Sequence, residues 1–120
     1  MEIFVLMSAF AIKHFVGDFV LQSQYMIDQK GTYGAWGGIC HSLIHATLTA
    51  GIVTFAGVPL ADIFVLACCD YAFHYHIDWL KQNISARFTT QDPEFWMCLG
   101  ADQMLHTLTY LFLTLYIVIL

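Results

Sequence analysis

Four pairs of potential metal ligands stand four residues apart along the chain: His14 and Asp18, His41 and His45, His74 and Asp78, Asp102 and His106. Imidazole nitrogen and carboxylate oxygen together suit zinc or iron, and both residue types are costly inside apolar sequence. Residues at i and i+4 lie one above the other on a helix, so each pair presents two ligands along one face. Asp70 extends the third pair into a stripe of Asp70, His74 and Asp78. Any single pair is most simply explained as packed side chains bonded to a neighbouring helix. Four pairs, one in each apolar segment, would bury several carboxylates at once, and a shared cation is the economical way to neutralise them. The expected metal set is therefore His14, Asp18, His41, His45, His74, Asp78, Asp102 and His106. It would hold one or two divalent ions, zinc first and iron as the alternative, with Asp70 or Asp78 left unligated as a general base.

Such ligands need rigid elements to hold them. Of the 120 residues, 59% are hydrophobic and only 11% charged, and the mean hydropathy is +0.68. Four Lys and Arg with nine Asp and Glu cannot form the polar shell a soluble core of this composition needs. The expected fold is all-α: one domain over 1–120, a bundle of four transmembrane helices at about 2–27, 37–57, 59–82 and 94–120, each long enough for ~30 Å of hydrocarbon. The breaks are DQKGTYGAWGG, AGVP and KQNISARFTTQDPE, with Pro93 suited to a first helical turn. Counted from the connection-facing ends at ~1.5 Å per residue, Asp18, His45, His74 and Asp102 fall roughly 12–14 Å deep and form one expected layer. His41 and Asp78 fall about a turn nearer the interface; His14, His106 and Asp70 fall about a turn deeper.

Charge placement gives orientation. Lys30, Lys81 and Arg87 flank the first and third connections, which should face the cytoplasm and leave both termini outside. Tyr25, Tyr33, Trp36, Trp79 and Trp96 supply an aromatic belt at the same interface. The first segment has no basic leader region and carries His14 and Asp18, so it reads as a retained helix rather than a cleaved signal. With so few and scattered basic residues, nucleic acid is excluded as a partner. Cys40, Cys68, Cys69 and Cys98 show no CxxC spacing and read as small packing residues, Cys98 being noteworthy for lying four before Asp102. Gln22 and Gln103 could orient ligands. Lys13 should pair with a carboxylate such as Asp70 or snorkel. Phe15, Phe19, Phe73, Tyr75 and Trp79 could wall an acyl-chain pocket.

The ordered set HFVGDFVLQ at 14–22, HSLIH at 41–45, HYHID at 74–78 and DQMLH at 102–106 resembles an uncharacterised family of small bacterial and phage membrane proteins. That family, a domain of unknown function, carries HxxGDF, HxxxH, HxxxD and DQxxH. The resemblance covers almost the whole chain and implies an integral protein of the bacterial inner membrane, without implying an activity. A looser similarity, in ligand chemistry alone, is to membrane-bound metal-dependent hydrolases, including the ceramidase and progestin-receptor-like group. The leading expectation is a metal-dependent hydrolase in which activated water attacks an ester, amide or phosphate of a lipid-like substrate. The alternatives are a di-iron oxidoreductase of the desaturase or hydroxylase kind, suggested by HSLIH, and a metal or proton carrier. A haem protein fits less well, because aspartates are poor neighbours for haem. Expected partners are the lipid bilayer and the substrate, with a homo-oligomer left open.

Overall fold

The apolar segments fold as helices, and the polar residues decide where they break. The computed structural model describes residues 2–120. Its elements are α1 (Ile3–Phe15), a π-helical turn (Val16–Val20) that continues it, α2 (Gln24–Gln29), α3 (Trp36–Phe55), α4 (Leu60–Ser85) and α5 (Pro93–Ile119), with no strand among the described residues. The expected single helix over 2–27 is therefore corrected to two. The π turn closes with the Leu21 N–H donating to the Val16 carbonyl at 2.9 Å, a five-residue step that hydropathy does not register. The chain then turns, and the Ser23 hydroxyl caps α2 by accepting the Met26 N–H at 3.4 Å. The other boundaries lie within about three residues of expectation.

Three helices are long and apolar enough to cross a membrane: Ile3–Val20, Trp36–Phe55 and Pro93–Ile119. Four were expected. At 26 residues α4 has the length, but Asp62, Asp70, Asp78 and Lys81 lower its apolar character. The helices pack as a ring, α1 on α3, α3 on α4, α4 on α5 and α5 back on α1, with no diagonal backbone contact among the described residues. Side chains alone therefore fill the axis.

One end of that axis is apolar, where Phe10, Val53, Leu66, Tyr110 and Leu113 form a buried cluster. Toward the other end the interior turns polar, and His41, His45, Thr49, Asp70, His74 and His106 are all buried. The outside is the reverse, with Phe55 90%, Leu60 83% and Phe4 78% exposed. This inverted pattern is stable where the surrounding solvent is hydrocarbon.

At the polar end α2 lies across α3. Gly34 adopts a positive φ of 81° in the intervening turn, and its N–H donates to the Tyr75 hydroxyl at 2.7 Å. A Cβ on Gly37 would stand 2.7 Å from the Tyr25 carbonyl oxygen and from the Gln29 side chain, whereas one on Gly51 meets nothing within 4 Å. Gly37→Ala should therefore cost about 1–3 kcal/mol by forcing α2 away. Gly51→Ala should be neutral or stabilising by up to about 1 kcal/mol, since it only removes helical glycine. Thermal unfolding of the two variants in detergent should move in opposite directions or, at least, only for Gly37.

Candidate metal centre

Each helix of the ring delivers its ligand pair to the axis. Asp18 lies in the π turn of α1, His41 and His45 in α3, His74 and Asp78 in α4, and Asp102 and His106 in α5. Asp18 Oδ1 lies 3.1 Å from His41 Nε2, 3.1 Å from His45 Nε2 and 3.7 Å from His74 Nε2. The Nε2 atoms of His41 and His74 are 3.0 Å apart. Four donors at tetrahedral corners, ~2.0–2.1 Å from one zinc ion, stand about 3.3 Å from each other. These four separations bracket that edge length, and the four ligand atoms all lie within 4.8 Å of one another, so the cluster could hold a metal ion.

Two further clusters adjoin the first: His14, His74 and His106, which shares His74 with it, and Asp78, Asp102 and His106, which shares His106 with the second. In all three clusters, the ligand atoms lie within 4.8 Å of one another. The carboxylates join them. The other oxygen of Asp18, Oδ2, is 3.1 Å from His14 Nε2. Asp78 places Oδ2 3.2 Å from His41 Nε2 and 3.4 Å from His74 Nε2, and Oδ1 3.4 Å from His106 Nε2. Asp102 Oδ1 is 3.5 Å from His106 Nε2. All eight expected ligands thus converge, but the layers are drawn differently. Asp18, His45 and His74 meet as expected, His41 joins them, and Asp102 belongs to the neighbouring cluster with Asp78 and His106.

Asp70 stands outside the three clusters. It accepts from Lys13 Nζ at 2.6 Å and from Thr49 Oγ1 at 2.8 Å, which is the pairing expected of Lys13. Lys13 also reaches the Tyr110 hydroxyl at 3.3 Å, and that hydroxyl is 2.8 Å from His14 Nδ1. Gln103 orients two ligands: its Nε2 donates to Asp102 Oδ2 at 3.0 Å, and its Oε1 is 3.2 Å from His14 Nε2. Gln22 donates to the Asp18 backbone carbonyl at 2.9 Å, so it braces the π turn rather than a carboxylate. Cys98 is a free thiol beside the clusters, not within them. Of the aromatics expected to wall an acyl-chain pocket, Phe15 and Phe19 stack on each other and line a cavity of about 320 Å³ against His14, whereas Phe73 is exposed and Tyr75 and Trp79 pack edge-on against Tyr33.

A family model described as "Protein of unknown function (DUF3307)" matches residues 5–120. The chain belongs to that family. No curated protein and no solved structure matches the chain.

Three contributors were not singled out from the sequence, although Thr49 and Tyr110 stand four residues after His45 and His106 and continue their stripes. Lys30, at the C-terminal end of α2, lies 2.8 Å from Asp78 Oδ2, although only its charge outside a span was legible. Tyr110 and Thr49 act through tertiary bonds alone. Gly17 was visible within HFVGDF, but its purpose was not. A Cβ there would overlap the His45 imidazole, so glycine is what lets the π turn carry Asp18 up to His45. Gly17→Ala should therefore lose bound zinc as fully as His45→Ala. Gly100→Ala, which meets nothing within 4 Å, should retain it. Metal content of the three purified variants after zinc loading and dialysis checks this, and equal retention by Gly17→Ala would show that the close approach is dispensable.

Proposed function

We propose that the chain is an integral membrane hydrolase, dependent on one or two divalent ions, zinc foremost, and acting on a lipid or lipid-linked ester, amide or phosphate. The observation that carries this is the convergence of five imidazole Nε2 atoms and three carboxylates from every helix of the ring on one buried region. With the imidazoles neutral, Asp18, Asp78 and Asp102 against Lys30 leave two negative charges, the complement of one divalent cation. In this reading α4 is the fourth membrane-embedded helix, since Asp70, His74 and Asp78 turn inward and are buried. The setting, following the resemblance, is a bacterial inner membrane.

The His and Asp ligands of the three clusters would hold the divalent ion, which would supply a water acidified toward a pKa of about 7 and polarisation of the bond to be cleaved. The residues do the remainder. A cavity of about 200 Å³ reaches Asp18, Asp78 and Asp102, giving water and substrate a way in. Asp102 lines that cavity, and its buried Oδ1 accepts no hydrogen bond, so we assign this side chain to take the proton from water. Asp78, held by Lys30, bridges clusters, and Asp70 is committed to Lys13. The apolar cluster around Phe10 and Leu113 closes the opposite end, which disfavours a carrier whose cargo crosses the whole bundle.

The same His and carboxylate set accepts iron, so metal preference cannot separate hydrolysis from oxidation. Zinc-loaded protein assayed without oxygen on phospholipid, polyprenyl-phosphate and acyl-amide substrates should release product, and His74→Ala should abolish it. Turnover that required iron, oxygen and a reductant would establish the oxidoreductase reading instead. Orientation is tested separately. In a cysteine-free background, Thr32→Cys and Ala86→Cys, both exposed, should react with an impermeant thiol reagent only from the cytoplasmic side; Ser85 is buried and would not serve.

A further inference from the structure

Two cavities meet at the metal centre on its α4–α5 side. The first is the polar one of about 200 Å³, which Lys30, Lys81 and Gln22 line together with Asp18, Asp78 and Asp102. The second, about 310 Å³, is a groove between α4 and α5 walled by Ile77, Leu80, Ile84, Met97 and Leu105. Asp102 and Lys81 line both. The two cavities adjoin across Asp102 and Lys81, a depression in two parts with cations and metal ligands in one and hydrocarbon in the other. Its apolar part alone reaches the size range of small-molecule sites, ~300–1,000 Å³.

We propose that this depression binds a lipid phosphomonoester, with its phosphate between Lys30, Lys81 and the ligand clusters and its chain along the α4–α5 groove. The proposal rests on the hydrolase reading and narrows its substrate to a phosphate. Charge decides among ester, amide and phosphate. One divalent ion brings the site to neutrality, but the two clusters with no residue in common, Asp18, His41, His45 and His74 against Asp78, Asp102 and His106, provide ligands for two. Two ions leave two positive charges beside Lys81. A phosphomonoester dianion complements that excess, and a neutral ester or amide leaves it unpaired in a low-dielectric site. Paired-metal sites are a recurrent arrangement for phosphoryl chemistry for this reason.

The reaction balances without a further reactant. The oxygen of water forms a bond to phosphorus, and the bond between phosphorus and the lipid oxygen breaks, its electron pair going to that oxygen. The proton water gives up passes to Asp102 and ends on the lipid alcohol. The products are inorganic phosphate and the alcohol.

Binding can be read without turnover using dodecylphosphonate, whose P–C bond resists hydrolysis. The full chain, zinc-loaded in phosphatidylcholine nanodiscs, would be compared with empty discs for retention of radiolabelled dodecylphosphonate, methylphosphonate and methyl laurate. Dodecylphosphonate should bind at least about tenfold tighter than either of the others. Lys81→Gln should weaken both phosphonates by about tenfold, the loss of one charge-assisted hydrogen bond. Ala101→Phe, which fills the groove, should erase the advantage of dodecyl over methyl while zinc content stays unchanged. Zinc-bound protein that cleaves methyl laurate and shows no preference for dodecylphosphonate would overturn the phosphate inference and leave the hydrolase reading standing. Protein that holds no divalent ion would overturn both. Tight binding indifferent to Lys81→Gln and Ala101→Phe would overturn the assigned site.

Discussion

The structure depends on the cost of holding carboxylates in hydrocarbon. An ionised aspartate there is several kcal/mol out of balance unless a cation or a set of donors answers it, and Asp18, Asp70, Asp78 and Asp102 all lie inside the bundle. Two different answers are built. Asp70 receives Lys13 and Thr49, a pairing that leaves no net charge. Asp18, Asp78 and Asp102 receive imidazoles and one lysine, too little positive charge to balance them. That shortfall is what the proposed cation would supply, and in a ring of helices without diagonal backbone contacts side chains alone fill the axis around it.

Local geometry follows from the same demand. Donors about 3 Å apart from different helices require those backbones to approach closely, and the approach is made where side-chain bulk is missing. Gly17 brings the first helix against His45, and the π turn around it widens the helix at the level where Asp18 must point inward. π turns concentrate at functional sites because an extra residue per turn re-aims side chains at little cost in hydrogen bonds. Farther from the site the packing is ordinary, and the apolar cluster of Phe10, Val53, Leu66 and Leu113 has no such distortion.

The ligand pairs were legible in the sequence because i and i+4 share a helix face whatever the tertiary structure, and the helical class was legible because the apolar runs are long. Their grouping was less so. Four residues advance a helix by about 400°, so each step of four drifts ~40° around the axis. Over Asp70, His74 and Asp78 the drift reaches about 80°, which turns Asp70 toward Lys13 and Thr49 and Asp78 toward Lys30 and His106. A count of depth along straight helices carries no such rotation, and so Asp102 was set in a layer with Asp18. The π turn was hidden for a related reason: VGDFVLQS is apolar enough to continue an α-helix, and the approach of His45 to Gly17 is a tertiary contact that hydropathy does not register. HYHID shows the limit at a single residue. His74 and His76 are equally good ligands by type, but ~200° of helix separates them, and His76 faces outward to the Tyr33 hydroxyl at 3.0 Å.

The neutral pair and the charged centre are not independent. Tyr110 joins them, its hydroxyl lying between Lys13 Nζ and His14 Nδ1. An imidazole bonded through one ring nitrogen presents the other to its ligand, so this contact selects Nε2 of His14 as the atom facing Asp18. His41, His45 and His74 also point Nε2 at the axis, but their Nδ1 atoms have no partner, and helix position alone directs them. The centre is therefore asymmetric: the His14 side is anchored through Tyr110, Lys13 and Asp70 into the deep end of the bundle, and the opposite side opens through Lys30, Lys81 and Asp102 to the cavity. Because a cavity also lies against His14 and Tyr110, it is the bonded network rather than closure that fixes the ligand on that side.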